Sequence, residues 1–280
     1  RLNWQDSRFW SPGANMPWIA WNWDGTGAND FGSVTQGVAA NQARADVLLK
    51  QASDNGLQTV RWWMFQGDAH RILTTIIPAQ VYADIDAALV LARQRDLYYT
   101  FTLFTCDTLP SDWLSAGRAA FVDRLRPLFV RYGNEPRILS WDVCNEPEWA
   151  IWNGQVNQAN LVATVTAIAA AAHANGNTLV TTCSAMLDGL SMWTTSGFDY
   201  YCANWYPYMT GGNWDARHRT YADVNTWAGL GGKPLVIGEF YANGSTAASD
   251  WNWWYDQGYA GARAWSIRME PMINSLSITL

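Results

Sequence analysis

Eight apolar, β-rich runs alternating with amphipathic helical stretches, a pacing of about 40 residues between the first five runs, and no glycine-rich phosphate loop after the first run predict an α/β chain folded as a (β/α)8 TIM barrel. An open doubly wound sheet would carry that loop and a helix start behind it, and Asp24-Gly25-Thr26-Gly27 supplies neither the third glycine nor the helix.

The runs read as strands are 17–23, 57–65, 97–105, 138–145, 178–184, 200–206, 234–240 and 262–267. Helical periodicity fills 41–53, 79–95, 118–131, 158–175, 219–228 and 247–257. Several helices end on the residues that C-capping favours: Asn55-Gly56, Gly133 and Asn175-Gly176. The alanine-rich run 167–174 is a good intrinsic helix former suited to close packing on a barrel. Two connections depart from the repeat. Between the fifth and sixth strands only 186–193 offers a brief helix, and about a dozen residues follow the eighth strand. A reduced or missing last helix follows from this, with the first fifteen residues covering the barrel surface it leaves open. Barrels of this kind run to roughly 250 residues as one unit, so the 280 residues read as a single catalytic domain.

Composition excludes several function classes. With 18 Lys+Arg against 24 Asp+Glu the net charge is −6, leaving no basic excess to replace phosphate counterions, so nucleic acid is not a partner. The longest apolar stretches stop well short of the roughly 20 residues that a bilayer span needs. A hydrophobic content of 49% supports a large core and rules out a disordered chain. The 19 Trp outnumber both Phe and Tyr. An indole N–H needs a partner when buried, so some of these rings are expected to line a groove for a flat amphipathic ligand such as a sugar, while others pack the core. Cys106, Cys144, Cys183 and Cys202 all fall in strand-like segments without a CxxC pair and read as buried free thiols. The three His are too scattered for zinc, so no metal and no organic cofactor is expected. No Gly-x-Ser-x-Gly elbow is present for a serine nucleophile. The chain begins at Arg1 rather than Met, which reads as a processed or trimmed start.

In such a barrel the loops after the strands build the site. The fourth predicted strand runs into Trp141-Asp142-Val143-Cys144-Asn145-Glu146-Pro147, and the seventh ends Leu235-Val236-Ile237-Gly238-Glu239-Phe240. These strands face each other across an eight-stranded barrel, which aims Glu146 and Glu239 at one another over its mouth. Two carboxyl groups about 5 Å apart are the equipment of retaining glycoside hydrolysis. A lone Glu at a strand end is usually a solvated rim residue; two at matched positions point to chemistry.

The pair Asn145-Glu146-Pro147 and Ile237-Gly238-Glu239-Phe240 resembles the signature of clan A glycoside hydrolases, with family five, the cellulase and mannanase family, the nearest likeness, over residues 18–268. The resemblance implies Glu146 as acid/base and Glu239 as nucleophile, with Asn145 on the sugar 2-hydroxyl. It makes Arg61 the arginine that holds the nucleophile ionised, although an inward Arg can also be purely structural. Tyr206 resembles the tyrosine that donates its hydroxyl to the nucleophile. Two residues earlier the family usually has His; this chain has Asn204, which can hydrogen-bond but cannot titrate. Trp265 matches the indole platform under the sugar, or else packs the barrel. The mechanism requires the two carboxyls to be pushed in opposite directions, Glu239 charged and Glu146 protonated.

Further candidates stand between cleft and core: Trp21, Trp23, Trp62, Trp63, Trp149, Trp152 and Trp214, of which Trp23 and Trp63 are taken as substrate contacts. Asp24, Asp68, Asp107 and Asp188 read as polar rim, His70 and His218 as loop residues on the same side, and His173 as solvated or capping. The resulting expectation is a monomeric, extracellular retaining β-glycoside hydrolase acting on a β-1,4-mannan or β-1,4-glucan. Its rivals are a carbohydrate-binding barrel without activity and a transglycosylase using the same glutamates.

Overall fold

A computed structural model of the chain describes residues 2–4, 7–19, 30–66, 73, 77–212, 215–216, 219–242 and 247–267. A short antiparallel pair, β1 (Leu2–Trp4) and β2 (Ser7–Phe9), precedes eight strands: β3 (Ser11–Met16), β4 (Thr59–Phe65), β5 (Tyr98–Thr105), β6 (Ile138–Asn145), β7 (Leu179–Ser184), β8 (Tyr201–Trp205), β9 (Leu235–Tyr241) and β10 (Gly261–Trp265). Each pairs in parallel with its sequence neighbour, and β10 returns to β3 to close the barrel. The (β/α)8 architecture expected from the alternation is therefore the one observed. Between strands lie α1 (Gln42–Asp54), α2 (Ala79–Arg95), α3 (Arg118–Tyr132), α4 (Glu148–Trp152), α5 (Gln158–His173), α6 (Tyr221–Ala228) and α7 (Ala247–Asp256). The link from β7 to β8 carries only a 3-10 turn, Leu187–Trp193, as its length demanded. Residues 268–280 lie outside the described residues. Among the described residues no helix is long and apolar enough to cross a membrane.

The first barrel strand corrects the sequence reading. It is Ser11–Met16, not 17–23, and its residues are all buried. The segment Ser-Pro-Gly-Ala-Asn-Met carries almost no hydrophobic signal because its inward side chains meet other polar groups rather than an oily core. Ser11 and Thr59 hydroxyls lie 3.0 Å apart, and the Asn15 amide donates to the Gly238 carbonyl at 2.9 Å and that of Ala264 at 3.2 Å. Gly13 leaves no room for a Cβ, which would collide with Thr59. Residues 11–15 thus complete the barrel instead of covering it.

The interior is layered. At the floor, Thr100, Ser140 and Tyr200 form a hydroxyl chain with contacts of 2.9 and 2.8 Å, and the fully buried Arg263 donates to Thr100 at 3.1 Å. Above it lies the layer of Asn15, Arg61, Thr102 and Asp142. Strand alternation sends Arg61 and Trp63 inward and Trp62 outward, where its indole donates to Asp30 at 2.8 Å. Trp141 likewise faces outward against Phe101 and Phe129.

The cysteines split into two kinds. Cys106 and Cys144 form a disulfide, with Cα atoms 6.0 Å apart, contrary to the free thiols expected; β5 and β6 run in register here, so the turn after β5 meets the end of β6. Cys183 and Cys202 are buried and free, as expected.

Candidate active site

Arg61 organises the layer beneath the barrel mouth. Desolvating a guanidinium costs several kcal/mol unless its donors are matched, and here they are. Nε and Nη2 donate to Asp142 at 2.8 and 2.6 Å, Nη2 also to Asn145 at 2.8 Å, and Nη1 to Glu239 at 2.8 Å and Asn15 at 3.1 Å. Asp142 is itself fixed by the Thr102 hydroxyl at 2.9 Å and the Cys183 amide at 3.1 Å. Neither Asp142 nor Asn15 stood out in the sequence. An inward polar position on a strand is the only signal they leave.

Glu239, on β9, accepts from Arg61 on Oε1 and from the Tyr206 hydroxyl on Oε2, the latter at 2.6 Å. Both oxygens meet donors, which is the environment of a carboxylate. Glu146 follows β6 directly. Its Oε1 accepts from the Asn204 amide at 2.7 Å and its Oε2 from the Trp149 indole at 3.0 Å. Asn204 and Tyr206 lie two residues apart at the end of β8, so one strand holds both glutamates at the mouth. Glu146 is one of two non-glycine residues with positive φ among the described residues, at 44°. This costs about 1 kcal/mol and is held by its amide donating to Cys183 O at 2.7 Å and its carbonyl accepting from Trp149 N at 3.1 Å.

The electrostatics differ from the opposed split expected. Burial pushes both carboxyls up, Glu239 to about 7. Two acids that share a dry mouth cannot both ionise cheaply, and the charge of Glu146 is among the groups raising Glu239. What separates them is their partners: a full positive charge for Glu239, neutral amide and indole donors for Glu146. The Arg61 charge and the Tyr206 hydroxyl both favour the ionised form of Glu239 against that burial. Burial and the Glu239 charge keep the Tyr206 hydroxyl protonated far above its ordinary range.

The aromatic residues sort clearly. Trp63 is nearly buried, lies under the Arg61 guanidinium at 5.4 Å, and meets Trp265 at 5.4 Å between ring centroids. Trp149 and Trp152 form an exposed edge-to-face pair at 4.9 Å beside Glu146, and Tyr206 stacks on the exposed Tyr208 at 5.8 Å. Trp62 belongs to the core. Trp21, Trp23, Trp214, Asp24, Asp68, His70 and His218 lie outside the described residues. Asp107, on the turn after β5, is partly buried and raises Glu146, while His173 pairs with Asp199 at 2.9 Å on the outer surface. A third glutamate, Glu148, is close in sequence yet serves the scaffold: it accepts from the Ala185 amide at 3.0 Å and the Trp193 indole at 3.2 Å. Among the described residues no cluster of His, Cys, Asp or Glu could hold a metal.

No protein-family model matches the chain, and no curated protein is similar to it in sequence. Solved structures are similar in fold. The β-mannanase of the blue mussel Mytilus edulis superposes with a TM-score of 0.75 at 20% identity, over 96% of this chain and 90% of that one. The β-1,4-D-mannanase of Cryptopygus antarcticus gives 0.74 at 19%, with the same coverages of 96% and 90%. The endo-1,4-β-mannanase of Eisenia fetida gives 0.73 at 17%, over 98% and 91%.

Proposed function

We propose that the chain is a retaining β-glycoside hydrolase that cleaves a β-1,4-linked polysaccharide by double displacement, with β-mannan the first substrate to try. One observation carries the reading: a single strand end, Asn204-Trp205-Tyr206, donates to both glutamates, while of the two only Glu239 is hydrogen-bonded by Arg61. The three similar structures described above are mannanases, which supports mannan over glucan.

In this reading Glu239 attacks the anomeric carbon and Glu146 protonates the departing oxygen. Forming the ester removes the negative charge from Glu239, and Glu146, already deprotonated by the first step, then takes a proton from water. The Arg61 contact on Asn145 Oδ1 turns the amide nitrogen toward the sugar 2-hydroxyl. Trp265 and Trp63 supply the platform under the ring, and Trp149 and Trp152 flank the leaving-group side. All these groups come from one chain, so the site needs no second subunit, and no metal or cofactor enters a step. A polymeric substrate and the Cys106–Cys144 disulfide both support an extracellular setting.

The test is reducing-sugar release from soluble mannans, glucans and xylans by the wild type beside Glu146→Gln and Glu239→Ala. Release from a β-1,4 polymer, abolished in Glu239→Ala and reduced about 100-fold or more in Glu146→Gln, is expected. Binding without release would leave a carbohydrate-binding barrel, and transfer to added acceptor sugars in place of release would make it a transglycosylase.

A further inference from the structure

Between the glutamates and the hydroxyl floor lies a buried pair of thiols that the mechanism above does not use. Cys183 on β7 and Cys202 on β8 are register partners, and both are fully buried. The Cys202 sulfur lies against that of Cys183, and Cys183 donates to Asn204 Oδ1 at 3.1 Å. A thiol has one proton to give, and Cys183 gives it to the amide. A primary amide has one accepting end and one donating end. With Oδ1 held by the thiol, Nδ2 is turned to Glu146 Oε1 at 2.7 Å. The packing is closed on the far side, since a Cβ on Gly238 would collide with Cys183 Sγ, Cys202 Sγ and Asn204 Oδ1 together.

We infer that Cys183 is a positioning residue for the reaction, whose S–H fixes the orientation of the Asn204 amide and thereby the proton affinity of Glu146. The inference rests on the assignment of Glu146 as acid/base. The family likeness places a titratable His where this chain has Asn204; an amide has two ends of nearly equal shape, so something must choose between them, and here the thiol does. With the donor end forward, the amide favours ionised Glu146, the form that must act as base on water. With the accepting end forward, it would repel that form and favour the protonated one. Burial keeps the Cys183 thiol protonated. Other groups act on Glu146 as well: Arg61 from β4, Asp107 after β5, Glu239 from β9, and Tyr206 and Tyr208 after β8. Of these, Arg61 also interacts with Cys183.

The experiment compares pH profiles of kcat/KM for wild type, Cys183→Ala, Cys183→Ser and Glu146→Gln. It is read beside a carbon-13 NMR titration of the glutamate carboxyls, which needs no turnover. Loss of one hydrogen bond to a charged group moves its pKa by about one unit. Cys183→Ala is therefore expected to move the alkaline limb and the Glu146 titration up by about one unit, with kcat falling about tenfold and KM changing less than about twofold. Cys183→Ser keeps a donor, and its limb is expected to follow the wild type. Thiol titration of the unmodified, denatured protein is expected to find two thiols. If Glu146→Gln leaves the alkaline limb in place, the acid/base assignment fails. If it removes the limb while Cys183→Ala superimposes on wild type, the positioning role alone is overturned. A Ser variant whose limb departs from the wild type, or a protein with no free thiol, overturns it too; should the Ala variant fail to fold, these last two results decide.

Discussion

Tyr206→Phe removes one oxygen and nothing else from the nucleophile's surroundings. The deleted hydroxyl donates to Glu239 Oε2 at 2.6 Å, while Arg61 continues to hold Oε1. A hydrogen bond to a charged group contributes roughly 1.5–3 kcal/mol, and each pKa unit is about 1.36 kcal/mol. Tyr206 is only partly buried, so water can replace some of what is lost, and the lower end applies: about one unit. The sign follows from which form the hydroxyl favours. It stabilises ionised Glu239, so its loss raises a pKa that burial has already pushed up to about 7. Attack requires the ionised form, hence the acid limb of kcat/KM should move upward by about one unit. Below the limb the rate should fall about tenfold, and the gap should narrow as pH rises. Profiles on the preferred polysaccharide, with thermal melts of both proteins as a folding control, provide the measurement. An unmoved acid limb, or a shift confined to the alkaline limb, would refute the pairing of Tyr206 with a charged nucleophile.

Glu239→Ala with azide as substitute nucleophile is expected to release a product of inverted anomeric configuration by proton NMR; a retained product, independent of azide, would count against Glu239. Gly238→Ala would drive a Cβ into Cys183, Cys202 and Asn204 and displace the neighbouring Glu239. A misplacement of about 1 Å costs on the order of 100-fold, so kcat should fall by that factor, and an alanine variant of normal activity would show the packing to be looser than described. Asp30 is a stability test away from the chemistry: burial raises it to about 7 against an ordinary 3.8, so the unfolded chain ionises first and stability falls as pH rises from about 4 through about 7. Three pKa units correspond to about 4 kcal/mol at most. Asp30→Asn, which keeps an acceptor for Trp62 and the Ile19 amide, should flatten that slope in denaturant melts, and an unchanged slope would place the titration elsewhere.

The sequence resolved some levels of this structure and not others, for physical reasons. Helix α2 runs over 79–95, as its periodicity indicated, because one face packs on the barrel along its whole length. Strands β4 to β9 are visible through buried β-branched and aromatic residues. Strand β3 is not, because Ser11, Gly13 and Asn15 pair with hydroxyls and carbonyls rather than with apolar neighbours, and polar satisfaction leaves no hydrophobic trace. At the site, Glu146, Glu239, Arg61, Asn145, Asn204 and Tyr206 converge as their strand positions implied. Trp149 emerged as a donor to Glu146 only in three dimensions, since the turn of α4 brings it back over the residue three before it. Asp142 lies on β6 ahead of Glu146 without any sequence signal of its role, which is to pair with Arg61 from two strands away, because strand spacing does not report partners. Cysteine pairing was equally hidden, because the register of β5 on β6 decides it.

The account turns on which carboxylate bonds to the sugar. Incubation with 2-deoxy-2-fluoro-β-mannosyl and β-glucosyl fluorides, followed by peptide mass mapping, reads this directly: the fluorine slows breakdown of the ester more than its formation when the leaving group is good. A single glycosyl adduct on the peptide containing Glu239, absent in Glu239→Ala, is predicted. An adduct on Glu146, or turnover of these compounds with inversion and no adduct, would contradict it.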